Sequence, residues 1–404
     1  MTSETVKGFR DFLGEEAEKR EKIKEILIKN FKLYGFEPAE TPIIEYEDFV
    51  KGENASDEAV SDTFKLKDKG NRELALRYEF TFQLKRIANN KKLPFKRYQI
   101  GEVFRDEPTG TNRLRQFTQC DLDIVGSTIK EEAEVLALVS KILNELGIKA
   151  IININNRKLL NEILDKEGIK GNKEQIIKEI DKLDKLSEKE VKDNLKKYKA
   201  EKVIDAFNKP EKYFEKYSAY SEIKELKKYC DLYGIKVNFQ PSLARGLSYY
   251  NGSVFEIKTS KSKDFDGAQK LKVSDTQEMK ETICAGGSFI VSNNQSTGLS
   301  FGLERLSQLA KINLENKKVL IISISQDEKA IKLAEDLRKA NISCSIMYGK
   351  PSKALEYANS YGIPYVIFLG EEEVKQKKVK LRDMKTGKEE VLEAKKIIDK
   401  LNSL

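Results

Sequence analysis

Arginine is concentrated in one short part of this chain, and its side chain is well suited to binding anions. The sequence holds 14 arginines against 60 lysines, and half of the arginines fall within one stretch of 44 residues. They are Arg72, Arg77, Arg86, Arg97, Arg105, Arg113 and Arg115. A planar guanidinium grips a phosphate or carboxylate through two parallel hydrogen bonds, which an ammonium group cannot do. The cluster therefore predicts a site for such anions, with a set of surface ion pairs as the alternative.

The chain contains no histidine and no tryptophan. Imidazole general-base catalysis, histidine-ligated metals and Ser-His-Asp triads are therefore excluded. Any reaction must depend on positioning, fixed charge and metal-bound phosphate. Because no imidazole is present, we also expect that any activity shows no titration near the usual histidine pKa of about 6.5 that comes from the protein itself.

Composition places the chain among ordinary globular proteins. It has 404 residues, 39% of them hydrophobic, which indicates two or three domains. The sequence has no apolar run of membrane-spanning length, and its charged N-terminus has no apolar signal core, so we expect a soluble cytoplasmic protein. Four cysteines without paired spacing predict neither disulfides nor a metal centre. The net charge of +8 permits a polyanionic partner without requiring one.

The predicted elements position the arginine cluster on a hairpin. Residues 15–34 have the apolar spacing of an amphipathic helix, and Gly35 follows as a stop signal. Residues 96–126 read as two alternating strands joined by a loop with Pro, Gly and Asn. The charge-rich stretch 157–228 is expected to be helical. From 317 onwards short apolar strands alternate with helices, which predicts a small α/β domain.

Five motifs in order give the chain a family resemblance. The opening KGFRDFLGEEAEKREKI resembles the N-terminal signature of histidyl-tRNA synthetases, and Pro42 in ETPIIEYEDF resembles the proline of their motif 1. Their motif 2 is matched by FRDE with RLRQFTQCDLDIVG. Their histidine motif resembles LARGLSYY, and their motif 3 resembles FGLERL. The segment from 317 to the end looks like the anticodon-binding domain of that family. The chain thus resembles class II histidyl-tRNA synthetases over nearly its whole length.

The resemblance implies an α+β fold with an antiparallel-sheet catalytic core, a helical insertion and a C-terminal α/β anticodon-binding domain. The implied boundaries are 1–156 for the core with motifs 1 and 2, 157–230 for the insertion, 231–316 for the core with the histidine motif and motif 3, and 317–404 for the anticodon-binding domain.

The resemblance also implies a set of residues for ATP, whose phosphates would carry Mg²⁺. Arg105 would bridge the α-phosphate and the amino-acid carboxylate, and Arg245 would stabilise the charge that develops during attack. Both are therefore the expected catalytic residues. The expected ATP-binding residues are Arg105, Glu107, Arg113, Phe117 and Arg305.

A second set of residues is implied for the amino acid histidine. Glu79 and Gln119 would contact the α-amino group, while Asp123 and Tyr250 would form hydrogen bonds with the two imidazole nitrogens. The full set is Glu79, Thr81, Gln119, Asp123, Tyr249 and Tyr250.

The sequence departs from the family pattern at several positions near these motifs. Ser248 stands where the family has Asp, which removes a carboxylate beside Arg245. Ser288-Phe289-Ile290 stands where the family has Arg-Tyr-Asp, so we expect the shape of the histidine pocket to be affected. Tyr78 replaces a proline, and Thr118 replaces a histidine.

The implied activity is ATP-dependent activation of histidine followed by transfer to tRNA(His), in a homodimer that does not associate with membranes. Two alternatives stay open. One is a histidine-sensing regulatory subunit, although such relatives usually lack the C-terminal domain. The other is a non-catalytic tRNA sensor, against which the retained Arg105, Arg245 and Arg305 argue.

Overall fold

The structure is a computed structural model that describes residues 3–52, 62–110, 113–184, 186–245, 249–259, 282–314 and 318–403. The chain forms two compact units, Met1–Ile312 and Asn313–Leu404. Ser248 and residues 260–281, where the sequence SKSKDFDGAQKLKVSD indicates an exposed loop, lie outside the described residues. In the described part of the chain, no helix is both long and apolar enough to span a membrane.

The first unit combines helices with mostly antiparallel strands. Its described helices are α1 (Gly14–Leu33), α2 (Glu47–Lys51), α3 (Thr81–Ile87), α4 (Ile129–Glu145), α5 (Arg157–Lys166), α6 (Lys173–Asp181), α7 (Glu188–Leu195), α8 (Val203–Phe207), α9 (Tyr220–Leu232) and α10 (Leu303–Leu309). Its described strands are β1 (Glu37–Pro38), β2 (Ile44–Tyr46), β3 (Lys65–Lys67), β4 (Glu73–Leu76), β5 (Phe95–Phe104), β6 (Gln116–Val125), β7 (Ala150–Asn156), β8 (Asn238–Phe239), β9 (Tyr250–Thr259), β10 (Thr282–Val291) and β11 (Asn294–Gly302).

The main sheet has the strand order β1-β5-β6-β11-β10-β9-β7-β8. Its central pairs from β5 to β7 are antiparallel, while β1 and β8 join the two edges in parallel. Pro38 therefore lies on an edge strand, where a missing backbone donor is tolerated. A smaller sheet has the order β2-β4-β3. The α+β fold with an antiparallel sheet is confirmed.

Helix α1 covers one face of the core, as its apolar spacing predicts. Ile23, Leu27 and Phe31 are fully buried and belong to the main hydrophobic cluster, which α4 and the strands also line. Gly35 follows the helix with φ +78°, a left-handed conformation that favours glycine. The helix therefore ends where the sequence predicts, and its polar side stays in solvent.

The predicted hairpin is formed by β5 and β6 over ten residue pairs. Along β6, Gln119, Asp121 and Asp123 share one face, while Cys120, Leu122 and Ile124 point into the hydrophobic core. The pairing of β6 with both β5 and β11 places this row of polar side chains in the middle of the sheet. One face of β6 therefore packs against the hydrophobic core, and the other face lines an open cavity.

The charge-rich segment after β7 is helical, as its composition predicts. Helices α5 and α6 bury apolar stripes that include Leu159, Ile163, Ile176 and Ile180, and they expose most of their charges. The buried stripes join the same hydrophobic cluster as the sheet. Burial of one face rather than charge pairing therefore holds this segment in place.

The second unit is a mixed α/β structure. Its described strands are β12 (Val319–Ser323), β13 (Cys344–Tyr348), β14 (Tyr365–Leu369), β15 (Lys378–Asp383) and β16 (Glu389–Glu393), and its helices are α11 (Asp327–Lys339), α12 (Pro351–Ser360), α13 (Glu371–Lys375) and α14 (Ile397–Asn402). The sheet order is β13-β12-β14-β15-β16, parallel among the first three strands and antiparallel thereafter. Hydrophobic clusters lie on both faces of the sheet, so the unit has its own core.

Candidate active site

A cavity of about 1100 Å³ opens over the polar face of the main sheet in the first unit. All twelve side chains that the sequence assigns to ATP or histidine line it. They are Glu79, Thr81, Arg105, Glu107, Arg113, Phe117, Gln119, Asp123, Arg245, Tyr249, Tyr250 and Arg305. They lie in four parts of the chain: at the start of α3, in the β5–β6 loop and on β6, in the segment that leads into β9, and on α10. The fold therefore brings together segments that are far apart in the chain.

One region of the cavity is built for anions. Arg105 Nε donates a hydrogen bond to the Tyr78 carbonyl at 3.1 Å, and its guanidinium lies 5.2 Å from the centre of the Phe117 ring. Glu107 lies 3.8 Å from Arg105 and forms an ion pair with Arg113. The Arg113 side chain is 63% exposed, so it can reorient towards a ligand. An arginine held by a backbone carbonyl and an exposed arginine therefore flank the same carboxylate.

Helix α10 is held against β6 by a buried network. Glu304 accepts hydrogen bonds from the Thr118 backbone N–H at 3.0 Å and from Arg20 at 3.0 Å. Arg20 also donates to the Thr118 hydroxyl at 2.9 Å. The adjacent Arg305 donates to the backbone carbonyl of Thr282. These contacts fix the first turn of α10, and with it the Arg305 side chain, at the cavity wall.

Arg245 has a carboxylate partner despite the serine at position 248. Its Nη1 lies 3.8 Å from Glu256 Oε1, and its side chain is 26% exposed. Glu256 is buried on β9, where it accepts a hydrogen bond from the Thr282 hydroxyl at 2.7 Å and forms an ion pair with Lys258 at 2.9 Å. The Arg245 guanidinium therefore contacts Glu256 on β9 and also lines the cavity.

Two tyrosines form an aromatic wall beside Arg245. The rings of Tyr249 and Tyr250 lie 4.7 Å apart, and Tyr249 contacts Phe289 edge-on at 5.6 Å. Burial raises the pKa of both phenols, and the negative charge of Glu79 raises them further. Both hydroxyls therefore stay protonated near neutral pH and can donate hydrogen bonds to a ligand.

Asp123 lies at the centre of the sheet and is buried. Its Oδ2 is 2.8 Å from Nη2 of Arg97, a fully buried arginine on β5. Burial raises the pKa of Asp123 to about 7; Arg97 opposes this rise, and the neighbouring Asp121 adds to it. Gln119 Nε2 donates to Asp121 Oδ1 at 3.1 Å. A chain without histidine therefore still contains a buried group whose pKa lies near neutrality.

The departures at 288–290 affect the cavity less than the sequence suggests. Strand alternation directs Ser288 away from the cavity, where its hydroxyl donates a hydrogen bond to Glu132. Ile290 is 43% exposed, and neither residue lines the cavity. Of the three, only Phe289 lines it. Tyr78 is buried, and its ring stacks on Phe82 at 5.6 Å.

The sequence did not identify the contacts that Arg97, Asp121, Glu256 and Glu304 make with the predicted site residues, although Arg97 was counted in the arginine cluster. Each lies within or beside a motif that was recognised. Alternation along β6 could have found Asp121, since it shares a face with Gln119 and Asp123. The other three act through partners on different strands or helices, and those pairings require the fold.

Comparison with known proteins agrees with this geometry. Residues 8–306 match the family model of histidyl-tRNA synthetase, and residues 318–404 match that of an anticodon binding domain. The chain is 34% identical to a histidine–tRNA ligase 1 of Bacillus cereus, with 96% of this chain and 95% of the relative covered. It is 33% identical to a histidine–tRNA ligase of Wolinella succinogenes, with 96% and 95% covered.

Solved structures share the fold. The crystal structure of histidyl-tRNA synthetase from Nostoc sp. PCC 7120 superposes with a TM-score of 0.81 at 22% identity, covering 100% of this chain and 99% of the other. A structure from Bacillus halodurans C, titled as an ATP phosphoribosyltransferase regulatory subunit/histidyl-tRNA synthetase, gives a TM-score of 0.71 at 19% identity, with 88% and 96% covered. The family model covers most of the chain and the relatives span its length, so the chain belongs to the histidyl-tRNA synthetase family.

Proposed function

We propose that the cavity joins histidine to ATP and then passes the histidyl group to the terminal ribose of tRNA(His). In the first step a carboxylate oxygen of histidine attacks the α-phosphorus, and pyrophosphate leaves with the electron pair of the broken P–O bond. In the second step a ribose hydroxyl attacks the carbonyl carbon; the bond from that carbon to the phosphate oxygen breaks, AMP leaves with its electron pair, and the hydroxyl proton passes to AMP or to water. The chain would therefore act as a histidine–tRNA ligase, an aminoacyl-tRNA synthetase.

The first step needs two anions to approach each other, and the arginines of the cavity suit that task. Arg105 is held by the Tyr78 carbonyl, so its remaining N–H groups can bridge the histidine carboxylate and the α-phosphate. Arg245, anchored by Glu256, would stabilise the charge that grows on the α-phosphate oxygens. No proton has to be removed from a carboxylate nucleophile, which explains how a chain without histidine can carry out this reaction.

The rest of the nucleotide would be bound by the loop between β5 and β6 and by α10. Arg113 and Arg305 line the cavity and would meet the outer phosphates, with Glu107 beside the adenosine. Phe117 would stack on adenine opposite the Arg105 guanidinium, which already lies over its ring. The exposure of Arg113 fits a residue that closes over ATP after binding.

Mg²⁺ fits this site as an ion carried mainly by ATP. Within the described residues, no group of three or more acidic or cysteine side chains could hold a metal by itself. Mg²⁺ characteristically takes most ligands from phosphates and water and one or two from carboxylates. Its ligands would be phosphate oxygens and water, since Glu107 already faces Arg105 and Arg113 and is placed beside the adenosine. When bound, Mg²⁺ would neutralise the charge of the phosphates and the leaving pyrophosphate.

Histidine would be recognised by the polar row on β6 and the aromatic wall. Glu79 and Gln119 would bind the α-amino group, with Thr81 beside them, while Asp123 accepts one imidazole N–H and Tyr250 contacts the other nitrogen. Tyr249 would pack against the ring. Substrates that leave these buried polar groups unpaired would be rejected strongly.

The convergence of twelve residues from four separate chain segments on one cavity carries this proposal. Its test is histidine-dependent exchange of pyrophosphate into ATP, with the other amino acids as controls. Exchange with histidine alone supports the proposal. Histidine binding without exchange would favour the regulatory-subunit alternative, and tRNA binding without either would favour the non-catalytic sensor.

The partners follow from the rest of the chain. The second unit would bind tRNA(His) at its anticodon; its exposed Tyr348 and Tyr361 are of the kind that stacks on unpaired bases. Ile43, Ile44 and Tyr46 are exposed in the motif 1 segment, which would form the interface of a cytoplasmic homodimer. Light scattering after gel filtration tests the dimer, and Ile44→Asp should yield monomers.

A further inference from the structure

We propose that Arg97 is a positioning residue for histidine recognition, because it orients Asp123 and favours the ionised form of that carboxylate, which the substrate imidazole would contact. The inference rests on the proposed function, in which Asp123 reads the imidazole. Arg97 itself does not line the cavity, so it would act through Asp123 rather than by touching the substrate.

The first support is the geometry of the pair. Arg97 and Asp123 lie directly opposite each other on β5 and β6, with 2.8 Å between Nη2 and Oδ2. Arg97 is completely buried, and Asp123 is nearly so. A charge pair this deep in the sheet is not screened by solvent, so each partner strongly influences the other.

The second support is that the Asp123 carboxylate is held from two sides but still lacks a hydrogen bond. Gly298 lies opposite it on β11, and a Cβ at that position would approach Asp123 Oδ1 to 2.0 Å. Asp123 Oδ2, despite its ion pair, has no hydrogen-bond partner among the described residues. The 2.8 Å contact with Arg97 Nη2 is not aligned as a hydrogen bond, so this oxygen can still accept an imidazole N–H that enters the cavity.

The third support is the second carboxylate in the same row. Asp121 is buried two residues along β6, and the attraction of Arg97 also acts on it. Two buried carboxylates close together cannot both ionise without a cation, so one of them would otherwise take a proton. With both carboxylates ionised, the single guanidinium beside Asp123 leaves Arg97, Asp121 and Asp123 together with one net negative charge, which suits a proton-donating imidazole.

Stability alone is a poor explanation for this arginine. Its Nε and Nη1 are buried without hydrogen-bond partners in the described part of the chain. A buried ion pair generally stabilises a fold little compared with apolar side chains of similar size. An incompletely bonded arginine below the predicted substrate pocket is therefore better explained by its effect on Asp123.

The test is the pH dependence of pyrophosphate exchange in Arg97→Leu and Arg97→Lys. Dividing the kcat/KM for histidine of each variant by that of the parent cancels the titration of histidine itself. The other titratable groups of the cavity are unchanged between these variants; they include Asp121, Glu79, Glu107, Arg105, Arg245, Cys284, Tyr249 and Tyr250, while Gly298 and Ser300 on β11 do not titrate.

We expect Arg97→Leu to raise the KM for histidine at least ~10-fold, since removing one partner of a buried pair is costly, with the KM for ATP within about twofold. The kcat/KM ratio should fall as pH decreases from 9 towards 7, because Asp123 takes up a proton at higher pH than in the parent. Arg97→Lys should restore most of the loss. Arg157→Leu is the matched control: Arg157 is also a buried arginine, ion-paired with Glu174, and lies outside the cavity.

Removal of the competing carboxylate provides the complementary test. Asp121→Asn in the Arg97→Leu background should restore part of the histidine affinity, because the competing negative charge is gone. As a single variant, Asp121→Asn should lower the pKa of Asp123. The kcat/KM of this variant divided by that of the parent should therefore rise as pH falls. The single Asp121 variant keeps the inference testable if Arg97→Leu does not fold. A pH-independent ratio in both variants, or equal losses for histidine and ATP, would overturn the inference. A parent chain without histidine-dependent exchange would instead overturn the proposed function.

Discussion

The Ser288 hydroxyl donates a hydrogen bond to Glu132 Oε1, so β10 and α4 meet at a carboxylate that is almost completely buried. Both residues line a second cavity of about 370 Å³, together with Ser253, Lys158 and Glu222. Burial raises the pKa of Glu132 to about 7, although the Ser253 and Ser288 hydroxyls act in the opposite direction. Part of the Glu132 population is therefore protonated at neutral pH.

This carboxylate should make stability fall as pH rises. The pKa of Glu132 is near 4.5 in the unfolded chain and about 7 when folded, so its contribution is complete below 4.5 and is lost as pH rises through 7. We expect Glu132→Gln to raise the free energy of unfolding at pH 8 by up to about 3 kcal/mol, with little change at pH 4.5. Urea unfolding at both pH values measures this, and exposed Glu225→Gln is the control. Equal effects at the two pH values would contradict the prediction.

A cation at position 288 should abolish the pH dependence of stability that Glu132 causes. Ser288 stands where the family has arginine, and it contacts Glu132 beside a cavity that can hold a longer side chain. We expect Ser288→Arg to form an ion pair that lowers the pKa of Glu132 and removes the loss of stability above pH 7. Histidine-dependent exchange should stay unchanged, since Ser288 does not line the substrate cavity. A changed KM for histidine would mean that this position shapes the pocket after all.

Gly298 should tolerate no side chain, because of the space that Asp123 occupies. An added Cβ would lie 2.0 Å from Asp123 Oδ1 and 3.2 Å from the Leu122 carbonyl, so the carboxylate must move. We expect Gly298→Ala to raise the KM for histidine by about tenfold or more, with the KM for ATP nearly unchanged. Gly171→Ala, where a Cβ meets no atom within 4 Å, is the control. Equal kinetics in the two variants would show that Asp123 does not contact histidine.

Sequence patterns predicted the elements well and the contacts within the site poorly. The hairpin and α1 follow from alternation and helical spacing, which local sequence determines. The pairing of Arg97 with Asp123 depends on the register of β5 against β6, and a shift by one residue would turn Arg97 to the other face. This register depends on the packing of the whole sheet, so it could not be predicted from the short sequence motifs alone.

The doubt about Ser288 has a similar cause. Three consecutive departures from a motif look equivalent in sequence, but on a strand they alternate between two faces. Phe289 faces the substrate cavity, whereas Ser288 faces Glu132 in another part of the unit. The effect of Ser288 is thus on the charge of a buried glutamate, which no local pattern indicates.

Arg245 should be needed for the chemical step more than for ATP binding. Its guanidinium is anchored by Glu256 at 3.8 Å and open to the cavity, where charge develops on the α-phosphate. We expect Arg245→Ala to lower the single-turnover rate of adenylate formation about 10²- to 10³-fold, with ATP affinity nearly intact. Arg245→Lys should also fail, because an ammonium group lacks the fork geometry. Near-normal activation in either variant would remove Arg245 from the proposed mechanism.

The second unit should serve tRNA and not the activation of histidine. The cavity is lined entirely by residues between Arg10 and Gln308, and the second unit has hydrophobic clusters of its own. Deleting residues 313–404 should therefore leave histidine-dependent pyrophosphate exchange within a few fold of the full chain, because compact units with separate cores can fold independently. Charging of tRNA(His) should fall by orders of magnitude, since the contacts with the anticodon are lost. The two assays are run on the same preparation, after circular dichroism has verified that the first unit is folded. An equal loss in both, in a folded protein, would mean that the second unit contributes to activation itself.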